Sequence, residues 1–386
     1  MLKVILDKKE EDNVLNGFPW IFNNEVSGFE GPIKDGVVCS VYTFDKKFVC
    51  TGFFNSNSKI MVRVLSLDEK EEINYEFFKQ RIQLAIEHRK TLGFSSARII
   101  FSEADFLPGL VVDKYGEYLS CQFMSLGMDM MKEDIVKILI ELLNPKGIYE
   151  RSDVPVRKKE GLEEIKGFLY KEFDTKVIIE ENGIKMQVDI ENGQKTGYFL
   201  DQKLNRDYLK YYVKDKTVLD CFSHTGGFAL HAAKYEAKKV TALDISQKAC
   251  DDIMFNASLN PFKDKVNAVC VDVFDYLRST KDTYDVIVLD PPAFVKTKDK
   301  IKNAIKGYKE INLQALKLIN KGGYLFTYSC SQHMTSDLFF EMVQSAVKDS
   351  KRKVQFIDFK IQSPDHPALL NSNEQLYLKC IVLRVL

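Results

Sequence analysis

Long apolar runs are missing from this sequence. None approaches the roughly 18 residues needed to cross a bilayer, and the opening MLKVILDKKEED interrupts its apolar residues with charge before a secretory segment can form. A cytoplasmic location is the expectation. Cysteine pairing is missing as well. The eight cysteines, at 39, 50, 121, 221, 250, 270, 330 and 380, include no CxxC pair and no His/Cys cluster at zinc spacing. That argues against a structural metal and against a disulfide framework, and it leaves most of them as small core hydrophobes. Net charge is absent too: 55 basic residues balance 55 acidic ones, so any nucleic-acid-binding face has to be local. No internal repeat or low-complexity linker divides the chain. What is present, 45% hydrophobic and 28% charged residues over 386 positions, is a globular composition too long for one ordinary core.

Three regions follow. Residues 1–72 carry short β-branched and aromatic runs (Val37–Phe44, Lys47–Phe53, Ile60–Leu65) separated by Gly, Asn and Asp, which predicts a small β-barrel with the single tryptophan, Trp20, filling it. Residues 73–174 open with Phe77, Phe78, Ile82, Ala85 and Ile86 at helical spacing, ending at Leu92-Gly93. Strand-like runs Arg98–Phe101, Leu110–Asp113 and Tyr118–Phe123 and a helix over 130–143 make this a central α+β domain. Residues 175–386 alternate strand and helix, with strands expected at Thr217–Phe222, Lys239–Ile245, Val266–Asp272, Tyr284–Asp290 and Gly323–Cys330. A closing hairpin is expected from Val354–Ile361 and Tyr377–Leu386. This is the pattern of a doubly wound, Rossmann-like α/β sheet.

In such a sheet ligands bind beyond the carboxyl ends of the strands, so the residues ending each strand carry the chemistry. The first strand ends in Asp220, Phe222 and Ser223, and Thr225 and Gly226 then open a helix where the backbone can approach a ligand. The second ends in Asp244-Ile245, an acid able to accept from both hydroxyls of a ribose. The third ends in Asp272-Val273, where a carboxylate can take the amino group of adenine and Val273-Phe274 can cover the ring. Each acid alone is equally an ordinary helix cap; three at successive strand ends describe one adenosine. An NAD site shares the first two acids but needs a G-x-G-x-x-G segment to hold a diphosphate, which this chain lacks.

The fourth strand ends Asp290-Pro291-Pro292-Ala293-Phe294, a stiffened turn that can hold a planar heterocycle, with Phe294 stacked on it. The fifth ends Ser329-Cys330-Ser331. Neighbouring strands would set Asp290 and Cys330 face to face. A thiolate there can add to carbon 6 of cytosine and make carbon 5 nucleophilic enough to take a methyl group, with Asp290 on the N3/N4 edge of the ring. Alternatively Cys330 is a buried strand cysteine. His333 and His366 are readable either as partners of this chemistry or as loop histidines. A guanine methyltransferase, acting at an amino group or N7, would use Asp290 without a thiol. A non-catalytic RNA-binding assembly factor would keep the pocket and transfer nothing.

The runs 195–202 (KTGYFLDQ), 220–228, 290–294 and 329–331, together with Arg151-Ser152-Asp153, Arg157-Lys158-Lys159-Glu160-Gly161 and Asp365-His366-Pro367, resemble the bacterial large-subunit (23S) ribosomal RNA cytosine-C5 methyltransferases over nearly the whole chain. The resemblance implies an N-terminal PUA RNA-binding barrel, a central domain and a class I methyltransferase domain that uses S-adenosylmethionine. It implies that Lys195, Tyr198 and Gln202 lie over the cofactor and that Cys330 is the nucleophile. Many RNA cytosine-C5 enzymes carry a second cysteine in the fourth-strand motif, where this chain has Pro and Ala. Asn16-Gly17-Phe18 lacks the basic residue expected before Pro19-Trp20. RNA contact is then expected from Arg157 and Lys158, and from the lysines after the Pro-Pro turn, Lys296, Lys298, Lys300, Lys302 and Lys306. The usual meaning of either charge run is a solvated face. The sequence leaves a homodimer open.

Overall fold

The computed structural model describes residues 1–294, 301–372 and 375–386. The chain divides into two compact units: Met1–Ile179 with Val188–Leu200 and Pro364–Gln375, and Glu180–Gln187 with Asp201–Ser363 and Leu376–Leu386. Among the described residues no helix is long and apolar enough to cross a membrane.

The first unit holds two sheets, each on its own core. One has six strands in the order Trp20–Phe22, Ile60–Ser66, Phe48–Phe54, Val38–Tyr42, Leu2–Leu6, Val26–Glu30. Strict alternation in Leu2–Leu6 sends Leu2, Val4 and Leu6 into a core with Val41, Phe54 and Val62. The other has five strands, in the order Ile165–Tyr170, Gly147–Ser152, Tyr118–Phe123, Leu110–Tyr115, Ala97–Phe101. The helix Tyr75–Thr91 packs Phe77, Phe78, Ile82 and Ile86 into its core; Asn74 caps the start, and Gly93 (φ +67°) follows the end.

The tryptophan does not fill the barrel as expected. In its strand Ile21 points inward, and half-buried Trp20 donates its indole N–H to Glu103 at 3.0 Å. Arg63 bridges the same Glu103 (3.0 Å) and Glu160 (2.8 Å), so buried ion pairs join the six-stranded sheet to the α+β part.

The second unit is built on one seven-stranded sheet: β1 Thr217–Cys221, β2 Lys239–Asp244, β3 Val266–Cys270, β4 Tyr284–Leu289, β5 Ile319–Ser329, β6 Val354–Lys360 and β7 Lys379–Val385. The order is β3-β2-β1-β4-β5-β7-β6, with β1 to β5 parallel and β7 antiparallel to both its neighbours. Strand order reverses at β1, which lies between β2 and β4, so the binding crevice lies at the carboxyl ends of β1 and β4. The connecting helices are α1 Gly227–Lys234, α2 Gln247–Ser258, α3 Val273–Ser279, α4 Ile301–Leu318 and α5 Ser336–Ser350. The expected alternation from residue 175 instead begins with a two-stranded hairpin, Lys176–Glu181 and Ile184–Asp189, turned by Asn182 (φ +51°) and Gly183 (φ +72°).

Candidate active site

The segment after β1 is held in an unusual backbone conformation. Phe222, His224 and Gly226 have φ of +63°, +54° and +89°, and two non-glycine residues there mark strain that the surroundings must impose. Several fixed groups impose it. His224 donates its backbone N–H to Asp244 at 3.0 Å, Asn256 on α2 donates its amide to the Thr225 carbonyl at 3.0 Å, and buried His231 on α1 donates Nδ1–H to the Gly227 carbonyl at 2.7 Å. Burial holds that histidine down at about 4, so it is neutral and its Nε2 accepts from Asn182 at 2.9 Å. A Cβ on Gly227 would lie 2.6 Å from Nε of Arg206, which is itself buried against Glu181 at 2.7 Å. Glycine lets the helix start this close to the cation.

Within this frame the strand-end acids converge. Asp220 is 1% exposed; its Oδ2 accepts from the Ser223 hydroxyl and from the Ala229 N–H. Its Oδ1 has no partner among the described residues, and neither does the buried Thr225 hydroxyl. Burial, reinforced by the neighbouring Asp290 charge, pushes the Asp220 carboxyl up to about 7. Asp244 takes N–H groups on both oxygens, from His224 and Ser246 at 3.0 Å each. Asp272 caps α3, accepting from Phe274 (2.7 Å) and Asp275 (3.2 Å) through Oδ1. Its capping role is therefore visible in the structure. Beside Asp244, Ile245 stays 70% exposed, whereas Val273 is 3% exposed and belongs to the core, so Ile245 is the open apolar side chain here.

Phe294, expected on the target base, is already engaged by three aromatic neighbours: Tyr308 (centroids 4.6 Å apart), Phe274 (6.0 Å) and Phe222 (6.4 Å). Together they pack on the core of the second unit. Gln202, expected at the cofactor, donates to Asp290 Oδ2 at 3.0 Å and is held in turn by Asn205 at 2.7 Å. At the end of β5 the half-buried Cys330 thiol faces the Pro291 carbonyl at 3.9 Å, which brings it to the turn that begins with Asp290. Ser329 and Ser331 flank it, both 3.1 Å from the Tyr308 hydroxyl, and the buried Lys379 of β7 donates to the Ser331 carbonyl at 2.9 Å. Arg206, Glu181, Asn256 and Lys379 were not singled out from the sequence.

Lys195 and Tyr198 belong to the first unit. Lys195 is exposed over the Phe199 ring, and Tyr198 is buried with its backbone N–H on the Tyr115 hydroxyl. His366 also lies there, 3% exposed and on Asp365; His333 is half-exposed in the turn after Cys330. The expectation that Arg157 contacts RNA is overturned. It is 1% exposed, donating to the Phe123 and Glu163 carbonyls and to Asp129 at 2.8 Å. The guanidinium satisfies buried carbonyls and cannot reach a phosphate. Lys158 beside it is exposed, paired with Glu164 at 3.0 Å. Lys296, Lys298 and Lys300 lie outside the described residues, while Lys302 and Lys306 are exposed on α4. Arg157→Met is expected to cost about 1.5–3 kcal/mol of stability, and Lys158→Ala less than about 0.5 kcal/mol. Only Lys158→Ala should lower RNA affinity and flatten its salt dependence, read by denaturant unfolding and by binding at several ionic strengths.

Comparison with known proteins bears on the fold and the family. The family model for a PUA-like domain matches residues 4–67, and that for an S-adenosylmethionine-dependent methyltransferase matches residues 162–380. A protein named ribosomal RNA large subunit methyltransferase I from Vibrio vulnificus (strain YJ016) is 41% identical over 394 residues, covering 99% of each chain. Its namesake from Vibrio cholerae (strain ATCC 39315 / El Tor Inaba N16961) is 42% identical with the same coverage. Among solved structures, one assigned as a SAM-dependent methyltransferase from Streptococcus mutans aligns over 100% of both chains at TM-score 0.84 and 23% identity. A second methyltransferase structure, complexed with SAH, aligns over 100% of both chains at TM-score 0.84 and 22% identity. At such identities these structures speak for the fold alone.

Proposed function

This chain belongs to the S-adenosylmethionine-dependent methyltransferases that include ribosomal RNA large subunit methyltransferase I, and we propose that it methylates carbon 5 of a cytosine in large-subunit ribosomal RNA. One observation carries the reading: a half-buried thiol, Cys330, stands at the β5 end within 3.9 Å of the turn that Asp290 begins. A guanine-modifying enzyme has no use for a nucleophile at that place.

The crevice residues fit the cofactor. Bound, it supplies an electrophilic methyl group on a sulfonium. Asp244 would hold the ribose hydroxyls and Asp272 the adenine edge, with Ile245 against the ring. The Asp220 Oδ1 and the Thr225 hydroxyl, which have no partner among the described residues, would take the methionine end, whose ammonium matches a carboxylate. This has a testable sign. In the free protein Asp220 holds its proton up to about pH 7, and pairing with an ammonium requires it ionised, so binding must expel that proton in more acidic solution. As pH is lowered from 7 to 5.5 affinity should fall by up to about tenfold per unit, with close to one proton released on binding in calorimetry across buffers. An affinity flat over that window would remove Asp220 from this role.

Cys330 as thiolate adds to carbon 6 of the ring. The electron pair of the 5,6 double bond passes to carbon 5, which takes the methyl group. Asp290, held by Gln202, hydrogen-bonds the N3/N4 edge and orients the ring against the thiolate. Loss of the carbon-5 proton to water and cleavage of the carbon–sulfur bond restore the aromatic ring and the thiolate. RNA contact is assigned to the PUA-like domain, to Lys158 and to the lysines of 296–306, through phosphates. The test is transfer from labelled S-adenosylmethionine to unmodified large-subunit ribosomal RNA, with the nucleoside identified by mass. 5-Methylcytidine supports the reading, and a methylguanosine overturns it.

A further inference from the structure

Lys379 sits where a lysine is costly. It opens β7, a strand buried along nearly all its length, and it is 4% exposed. In the antiparallel register of β5 and β7 it lies directly across from Ser329, one residue before Cys330, and its ammonium reaches past to the Ser331 carbonyl at 2.9 Å. It forms no ion pair with a carboxylate among the described residues; its one electrostatic partner there is Cys330. A buried cation without an acid is normally neutralised or selected away. Cys330 has the complementary problem. Asp290 stands on the β4 side of it, and a carboxylate beside a thiol opposes ionisation. From α4 comes Tyr308, whose hydroxyl burial pushes up, so it is neutral. His333 is the further titratable side chain of the turn itself. Among these the acidic side chain is Asp290, and Lys379 is the buried cation.

We propose that Lys379 is the counter-ion of the Cys330 thiolate: it keeps the nucleophile ionised beside the Asp290 carboxylate. It is a positioning residue acting through Cys330, and the inference rests on Cys330 being the nucleophile. The thiol proton leaves for solvent, and the ammonium and thiolate remain as a pair within the β5–β7 junction. Burial pushes the Lys379 ammonium down to about 8, and the thiolate opposes that shift. The pair therefore persists from the thiol's own titration upward and is lost as pH rises through about 8, when the lysine gives up its proton.

The test is the pH dependence of Cys330 alkylation by iodoacetamide in the intact protein, followed on the Cys330 peptide by mass so that the other thiols do not count. An ordinary thiol titrates near about 8.5; in the wild type the midpoint should lie a unit or more below that. Lys379→Met should raise it by at least one unit and slow alkylation at pH 7 about tenfold, while Lys379→Arg keeps the low midpoint. The pH profile of kcat should move with it and KM for RNA should not. An ordinary wild-type midpoint overturns the proposal without any variant, as does a Lys379→Met midpoint equal to wild type. If Lys379→Met does not fold, the wild-type and Lys379→Arg midpoints decide. A low midpoint in an enzyme whose Cys330→Ala form still methylates would keep this ion pair and remove the nucleophile reading instead, so the two failures are distinguishable.

Discussion

Cys330→Ala is expected to lower methyl transfer to ribosomal RNA by roughly 10³-fold or more, the scale on which loss of a covalent nucleophile acts, while S-adenosylmethionine still raises the melting temperature as in the wild type. The two readouts separate because the thiol sits at the end of β5, facing Pro291, whereas the groups assigned to the cofactor end β1, β2 and β3. Truncating a half-buried side chain at a strand end also leaves the sheet ladder intact. RNA carrying 5-fluorocytidine sharpens the result. Once the methyl group is on carbon 5, fluorine cannot leave as a cation, so the carbon–sulfur bond cannot break and wild-type protein should stay covalently bound to RNA through denaturing electrophoresis. Cys330→Ala should form no such adduct. Full activity in the alanine variant would return the enzyme to amino or ring-nitrogen chemistry, for which Asp290 alone suffices.

The largest expected loss of stability lies beneath the glycine segment. Arg206 and Glu181, with side chains 4% and 0% exposed, pair at 2.7 Å under Gly227. Replacing Arg206 by Met takes from a buried carboxylate the guanidinium that pairs with it at 2.7 Å, and about 3–5 kcal/mol should be lost, read from the denaturant midpoint at constant slope. His231, 3.9 Å from the same carboxylate, cannot substitute, because burial keeps it neutral and its ring nitrogens are committed to Gly227 and Asn182. The double variant Arg206→Met/Glu181→Leu removes both charges and should recover much of the loss. If it is no more stable than the single variant, the pair is not what Arg206 contributes. The helix start it supports carries Thr225 and Gly226, so cofactor affinity should fall with the single variant as well.

The parts of this structure that were legible beforehand are those that local chemistry determines. A β-branched run ending in an acid, followed by a helix start, locates β1, β2 and β3 within a residue or two, and Leu92-Gly93 locates the end of the helix Tyr75–Thr91. What escaped depends on contacts between distant residues. Glu181 and Arg206 find each other only when the hairpin has folded, and Arg157 looks solvated in a row of charges until Phe123 and Glu163 are seen to leave carbonyls for it. Two signals were present and unread. Asn182-Gly183 between alternating Val177, Ile179 and Ile184, Met186, Val188 is a hairpin signature. Lys379 interrupts the run LYLKCIVLRVL, where a strand buried on both faces has no place for an unpartnered charge.

The sheet order also imposes a sequence of assembly. β7 is the last strand of the sheet to be synthesised, yet it lies between β5 and β6. Until it arrives, β5 presents an open edge and β6 has no partner in the sheet, so a chain halted before Lys379 forfeits two strands rather than one. The same event delivers the cation to the thiol. If Lys379 is the counter-ion proposed above, closing the sheet and arming Cys330 are one step, and a partly made sheet carries the thiol without its cation.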